Sequence, residues 1–467
     1  MSKFVESIND ALYGYILIIL LVVGGIYFSI RTKFAQFGLL KQQFKAVTEK
    51  PKSGGVSSFQ ALMVSTASRV GTGNIIGVAT ALCIGGFGSV FWMWIIAILG
   101  GATALIESTL SQIYKRKGKD GCFGGPAYYI ESGIKSRPLA IIFSILLILT
   151  YGVGFNMLAS YNLQSTFVAF EFYDANVTPW IIGAIVAFLV CYCLLGGGKR
   201  IIKVTGVLVP VMGVLYIIVA LIVVALNIVS LPSIFGRIFA EAFDVNAIFG
   251  GFAGSCVMLG VKRGLFSNEA GVGSAPNASA SAEVSHPVKQ GLVQVLSVFI
   301  DTLLVCTATA FMCMSSGVEP NAGLDGAVYV QTCLAAVFGG FGPIFIAVAM
   351  VLFAFTTLIG NLYYVDKAFI HIFKKEPPKW FKITYYVVFS LLILFGAGLS
   401  ADLLWGVADV FMGAMTLINI PVIFILGKYA FRAIQDYVKK DKANQPLTFL
   451  AKDINLPDKV DCWQEEK

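Results

Sequence analysis

The sequence is poor in charge and almost devoid of histidine. Only 13% of its 467 residues are Asp, Glu, Lys or Arg, and two are His, whereas soluble globular proteins carry about 25% charged residues. Such a composition excludes an ordinary soluble enzyme, and two His leave little from which to build a His-based metal or acid–base centre. The nine Cys form neither a disulfide framework nor a zinc-ligand spacing. Cys191, Cys193, Cys256, Cys306 and Cys313 lie inside apolar runs, where Cys packs as a small hydrophobe. A cationic leader is also lacking before the first apolar run, residues 12–30, which therefore reads as a retained span and not as a cleaved signal.

What the chain has in quantity is apolar. It is 57% hydrophobic, with 37 Phe, 18 Tyr and 48 Gly. Its apolar runs reach about 20 residues without alternating, which is the length and pattern of membrane-crossing helices and not of barrel strands. In lipid these helices satisfy their own backbone hydrogen bonds. The expectation is an all-α polytopic membrane protein of eleven transmembrane helices, over 12–30, 57–85, 88–113, 138–163, 178–196, 203–229, 245–272, 288–315, 335–370, 381–398 and 403–430.

The net charge, 34 − 26 = +8, points to membrane topology and not to nucleic acid. Connection 31–56 holds Arg31, Lys33, Lys41, Lys45, Lys50 and Lys52. Connection 114–137 holds Lys115, Arg116, Lys117, Lys119, Lys135 and Arg137. Lys199, Arg200 and Lys203 follow in 197–203, and Lys374, Lys375, Lys379 and Lys382 in 371–382. The alternate connections 164–177, 230–244 and 316–334 have only Arg237, beside Glu171, Asp174, Glu241, Asp244, Glu319 and Asp325. By the positive-inside rule the N-terminus lies outside and the C-terminus in the cytoplasm, which an odd span number requires. The charged tail after Ala430 is expected to be a solvated helix end and coil. Gly196-Gly-Gly-Lys-Arg200 lacks the first Gly and final hydroxyl of a phosphate loop, so a nucleotide-driven pump is not supported.

Setting the first span aside leaves five plus five. The expected units are 1–56 (N-terminal helix and connection), 57–229 and 245–430 (two inverted repeats) and 431–467 (cytoplasmic tail). The second span contains Ser65-Thr-Ala-Ser-Arg-Val-Gly-Thr-Gly-Asn74, and the seventh contains Gly260-Val-Lys-Arg-Gly-Leu-Phe-Ser-Asn-Glu-Ala-Gly271. Gly-interrupted helices at corresponding positions of inverted halves mark a secondary transporter's binding site, since unwinding in mid-membrane frees carbonyls for a cation and aims a helix dipole at an anion. Gly71-Thr-Gly-Asn74 is the sharpest signal: Gly73 and Gly77 alone would suit helix packing, but Thr72 and Asn74 beside them add polar groups that packing does not need. Arg69, Glu107, Arg263, Glu269 and Asp301 are charged residues that fall inside spans. They are gate or coupling candidates against a plain reading as structural ion pairs.

Three stretches, Gly71-Thr-Gly-Asn-Ile-Ile-Gly-Val-Ala79, Gly124-Gly-Pro-Ala-Tyr-Tyr-Ile-Glu131 and Arg263-Gly-Leu-Phe-Ser-Asn-Glu-Ala-Gly-Val-Gly-Ser-Ala-Pro276, resemble the signatures of the alanine or glycine:cation symporter family. The resemblance runs from about Gln60 to Tyr429. It implies a LeuT-type inverted-repeat core with one extra N-terminal helix, and sodium-coupled uptake of small neutral amino acids by alternating access, with no cofactor beyond the coupling ion and no enzymatic activity. It further implies a sodium site from the carbonyls of Ala67 and Val70 and the hydroxyls of Thr356 and Thr357, an oxygen-only set that suits a hard cation. The substrate would meet Thr72, Gly73, Asn74, Gln164 with Phe170 as a wall, Gly264, Ser267, Asn268 and Asn361. At Asn361 the chain departs from the family pattern, which usually has Trp there, Gly at Val365 and Glu at Asp366. Loss of that aromatic wall enlarges or polarises the pocket, so serine or glutamine joins alanine and glycine as an expected substrate. Proton coupling and an ion channel are the competing readings. The channel lacks any repeated filter segment in the sequence.

Overall fold

The computed structural model describes residues 2–51, 55–118, 121–244, 255–324 and 326–464. It is a helical bundle with one two-stranded hairpin. Helix α1 (Ser2–Ala11) passes through a wider π turn into α2 (Leu17–Arg31), and α3 (Leu40–Val47) follows. The first expected interruption is found where Gly71-Thr-Gly-Asn74 places it. Helix α4 (Ser58–Arg69) and the continuation Gly73–Gly85 are bent by 54° at the break, and α5 (Val78–Gly85) is its regular part. The start of α4 is a capping box: Ser57 Oγ accepts from the Gln60 N–H at 3.1 Å, while Gln60 Oε1 accepts from the Ser57 N–H at 2.9 Å.

Helix α6 (Gly88–Ile113) leads into the antiparallel hairpin β1 (Arg116–Gly118) and β2 (Gly121–Phe123). Helix α7 (Arg137–Leu147) runs through a π segment into α8 (Phe155–Ser165); then come α9 (Thr178–Leu194), α10 (Gly197–Leu226) and α11 (Leu231–Ala242). The second half holds α12 (Cys256–Asn268), α13 (Pro287–Val298) continuing through a π segment into α14 (Thr307–Ser315), α15 (Ala327–Phe338), α16 (Phe341–Phe373), α17 (Lys379–Ala397) and α18 (Ala401–Lys442). Among the described residues, eight helices are long and apolar enough to cross a membrane, and the bent pair makes a ninth. Their outer faces carry exposed Ile, Val, Leu and Phe, such as Leu221, Ile344 and Ile425, the surface that a multi-pass membrane protein presents to lipid.

Three expectations need correcting. The seventh span's interruption does not begin at Gly260: α12 is helical through Asn268, and the break starts at Glu269 (φ +53°) and continues through Gly271 (φ +90°) and Gly273 (φ +89°). The start of that span, 245–254, lies outside the described residues. The ninth span does not begin at residue 335, because Gly339 (φ +58°) separates α15 from α16. The tail is no solvated coil: α18 runs on to Lys442, and the chain folds back so that Phe449, Ile454, Val460 and Trp463 are buried.

Candidate functional site

The first break opens onto one narrow cavity. It lines the cavity with Ser68, Arg69, Gly71, Thr72 and Gly73, and Phe155, Ala159, Phe266 and Thr357 close it from α8, α12 and α16. A helix that ran straight through would pair the Ala67 carbonyl with the Gly71 N–H and the Val70 carbonyl with the Asn74 N–H. Instead the Gly71 N–H donates to Asn74 Oδ1 at 2.8 Å, and the Asn74 N–H to the Gly71 carbonyl at 3.2 Å. The break therefore strips two carbonyls, Ala67 and Val70, of their helical donors.

Helix α16 meets the break closely enough to matter. A Cβ on Gly360 would come 2.9 Å from the Ser68 nitrogen, and one on Gly71 would come 2.1 Å from Thr357 Oγ1. The two adjacent threonines differ. Thr356 Oγ1 bonds the Leu352 and Phe353 carbonyls of its own helix at 2.9 and 3.1 Å, the ordinary fate of a hydroxyl in a membrane helix. Thr357 Oγ1 is buried without a hydrogen-bond partner and faces the cavity. A hydroxyl oxygen with no donor against it, beside two freed carbonyls, fits a monovalent cation.

Behind Ser68 and Thr72 of the cavity lining, a buried polar network draws on both halves. Ser68 Oγ lies 2.6 Å from Asn361 Oδ1, and Asn361 Nδ2 donates to Asn156 Oδ1 at 2.9 Å. Asn156 Nδ2 is buried with no partner. Thr72 accepts from Asn162 Nδ2 at 3.0 Å. Asn74 Nδ2 donates to Asp301 Oδ1 at 2.7 Å and lies 2.9 Å from Ser267 Oγ. One wall is aromatic: the Phe266 ring lies between Phe155 (4.5 Å) and Trp405 (4.8 Å), tilted to both, and the Arg263 guanidinium sits 4.0 Å from the Trp405 ring centre.

Other residues singled out from the sequence lie apart from the cavity. A Cβ on Gly264 would strike Ile96 at 2.5 Å, so this glycine serves packing against α6. Asn268 Oδ1 accepts from the Ala270 N–H at 3.0 Å and shapes the second break. Gln164 Oε1 accepts from Tyr173 at 2.8 Å, and Phe170 stacks on Phe172; neither lines the cavity. Phe155, Ala159, Asn162, Phe266 and Ser68 were missed, although Phe155, Ala159 and Asn162 form an i, i+4, i+7 stripe that could have marked one helix face.

The intramembrane charges acquire partners. Arg69 lines the cavity and donates to Gln294 at 2.9 Å. Glu107 accepts from the Gly271 N–H (3.3 Å) and Asn419 (2.9 Å), bracing the second break. Glu269 accepts from Ser274 (2.5 Å) and approaches Ser68 (3.3 Å). Asp409 on α18, not singled out in the sequence, lies 2.9 Å from Lys262 and 3.7 Å from Arg263. Tyr13, from the π turn after α1, donates to the Asp409 carbonyl.

Residues 1–451 match the sodium:alanine symporter family. The chain is 41% identical to the amino-acid carrier protein AlsT of Bacillus subtilis, over 100% of this chain and 99% of that one. It is also 41% identical to the probable sodium/glutamine symporter GlnT of the same organism, over 99% of this chain and 97% of that one. Among solved structures, MhsT in complex with L-phenylalanine shares the fold at a TM-score of 0.56 and 14% identity, covering 83% of this chain and 93% of that one. With a match over nearly its whole length, the chain belongs to the sodium:alanine symporter family of secondary transporters.

Proposed function

We propose that this protein is a sodium-coupled importer of small neutral amino acids that works by alternating access. The observation that carries this reading is the junction at Gly71. Two carbonyls freed by the break, Ala67 and Val70, lie on one helix, and the unpartnered Thr357 hydroxyl approaches from another. A sodium ion held by these oxygens, with Thr356 behind them, ties α4 to α16. The ion thereby favours one conformation over the other, which is the only way a ligand shifts such an equilibrium. The substrate carboxylate meets the break from Thr72 to Asn74, with Ser267 behind it; Gln164, Phe170, Gly264 and Asn268 support the site from farther out. The proposed organisation is eleven spans, with an N-terminal helix (1–56), inverted repeats 57–229 and 245–430, and a cytoplasmic tail from 431. The N-terminus is then outside the cell membrane.

A more polar substrate is the second reading, and Asn361 favours it. Its buried amide links Ser68 to Asn156, whose own Nδ2 is left without a partner, so a side-chain hydroxyl or carboxamide would find a polar network behind Ser68. The relative named for glutamine supports the same reading. The test is uptake of labelled alanine into proteoliposomes, with glycine, serine and glutamine as competitors. Uptake is expected to require an inward sodium gradient and to be competed by at least one of the polar pair. Uptake unchanged when potassium or choline replaces sodium overturns the coupling, and indifference to serine and glutamine overturns the polar reading.

A further inference from the structure

Asp301 is a carboxylate that joins the first break to the end of α12, just ahead of the second. It is fully buried, in the π segment Phe299–Cys306 between α13 and α14. Its Oδ1 accepts from Asn74 Nδ2 of the first break at 2.7 Å. Its Oδ2 accepts from Ser267 Oγ, two residues before the second break, at 2.7 Å and from Thr302 Oγ1 at 2.8 Å. Among the described residues no Lys or Arg forms an ion pair with it, whereas the equally buried Asp409 lies beside two cations.

Charge faces Asp301 from few directions. Arg69 on α4 and Glu269 after α12 act on it through space. Cys306 of its own segment lies 3.1 Å from Ser267 Oγ and 3.2 Å from Asn74 Nδ2. Tyr216 on α10 is occupied with Thr309, and α6 turns Gly101 toward Phe299 of the same segment. Asn74 is the shared element: its Oδ1 holds the Gly71 N–H and its Nδ2 holds Asp301. A substrate carboxylate seated at Thr72–Asn74 thus places a second negative charge beside Asp301 in a site closed to water. Two carboxylates so placed do not both stay ionised. The hydroxyls around Asp301 can accommodate the change, because a hydroxyl donates or accepts by rotation. With a proton on Oδ2, Asp301 donates to Ser267 Oγ, which turns its own hydrogen toward Cys306 Sγ.

We propose that Asp301 is a proton site of the transport cycle: its carboxylate takes a proton from water as the amino-acid carboxylate binds, and gives it back to water on the opposite side when the substrate leaves. One O–H bond forms at Oδ2 on entry and breaks on exit, so the proton travels with the substrate. The inference rests on the proposed seating of the substrate at Thr72–Asn74.

The test counts protons on binding. Alanine or glutamine is added to the purified transporter in weakly buffered, sodium-containing solution with a pH indicator dye, and bound labelled substrate is measured in parallel. The wild type is expected to take up roughly one proton per substrate bound, Asp301→Glu a similar number and Asp301→Asn close to none. Binding by the wild type without proton uptake overturns the proposal, as does an Asp301→Asn variant with the wild-type ratio. Should Asp301→Asn bind nothing, the wild-type affinity decides: it is expected to fall by about tenfold per pH unit on the alkaline side, and a flat profile overturns the proposal. Proton uptake that disappears in Asp301→Asn while binding needs no sodium defeats the sodium reading and leaves the proton site standing.

Discussion

Thr356 and Thr357 are neighbours in sequence, both buried, and the pattern Thr-Thr gives them equal standing. The structure separates them by helix phase, with 356 turned to its own carbonyls and 357 to the break. Replacing Thr357 by the isosteric Val removes an oxygen that has no other partner, so the sodium concentration for half-maximal uptake is expected to rise about tenfold, or ~1.4 kcal/mol. Thr356→Val gives up an intrahelical bond that competes weakly with water, and the same measurement is expected to move by less than about threefold. Equal effects from the two variants would refute the assignment. Asn74 was legible in sequence because a polar group beside two glycines stands out in an apolar helix, whereas Thr357 was reached only through the family resemblance. Phe155 and Phe266, two of thirty-seven Phe, were not legible: only tertiary packing tells a cavity-wall phenylalanine from one facing lipid.

The breaks show what an element reveals and what it hides. In the first, Gly71 and Gly73 coincide with the actual bend, and each is held against a neighbour: a Cβ would come 2.1 Å from Thr357 Oγ1 and 2.7 Å from the Phe266 ring. Gly71→Ala is therefore expected to displace Thr357 and to abolish sodium-dependent uptake, while the protein still elutes as a folded monodisperse species on size exclusion. Wild-type uptake by this variant would mean that the approach is not needed. In the second break the sequence misled, because Gly260 and Gly264 look like helix breakers but let α12 approach α6: a Cβ on Gly260 would lie 2.5 Å from the Ser89 carbonyl. The turn is made instead by Glu269, which takes a left-handed conformation with no Gly to announce it. Its cost is offset by the Ser274 bond and by Glu107, which braces the Gly271 N–H. Glycine content alone cannot distinguish packing from unwinding, since both depend on what lies across the interface.

At the scale of the whole molecule, the tail is where charge counting failed, because it registered the Lys and Asp residues and passed over four apolar residues spaced among them. Trp463 Nε1 donates to the Gln112 carbonyl at 2.7 Å, Lys115 lies over the Trp463 ring, Tyr114 donates to Asp458, and Arg116 pairs with Asp461. The end of the chain is thus fastened to the hairpin and to the end of α6, where Gln112 and, just beyond it, Lys115 also hold the segment after the second break through the Ser279 and Ala282 carbonyls. One thiol reports on this docking. Cys122 on β2 lies 3.5 Å from Cys462, and that hydrogen bond, helped by Lys115, lowers its pKa to about 6 against the opposing effect of burial. A depressed thiol pKa means that thiolate is present above about pH 6 and is lost as the pH falls through that value, and only the thiolate is alkylated at an appreciable rate. Iodoacetamide labelling of Cys122, followed by peptide mass spectrometry, is expected to reach half its plateau rate near pH 6 in the intact protein. In Cys462→Ala, which removes the partner without removing the tail, the midpoint is expected to move up toward the ordinary thiol value of about 8.5. A midpoint that is already ordinary in the wild type, or unmoved by Cys462→Ala, would mean that the tail does not rest on the hairpin in the membrane-embedded protein.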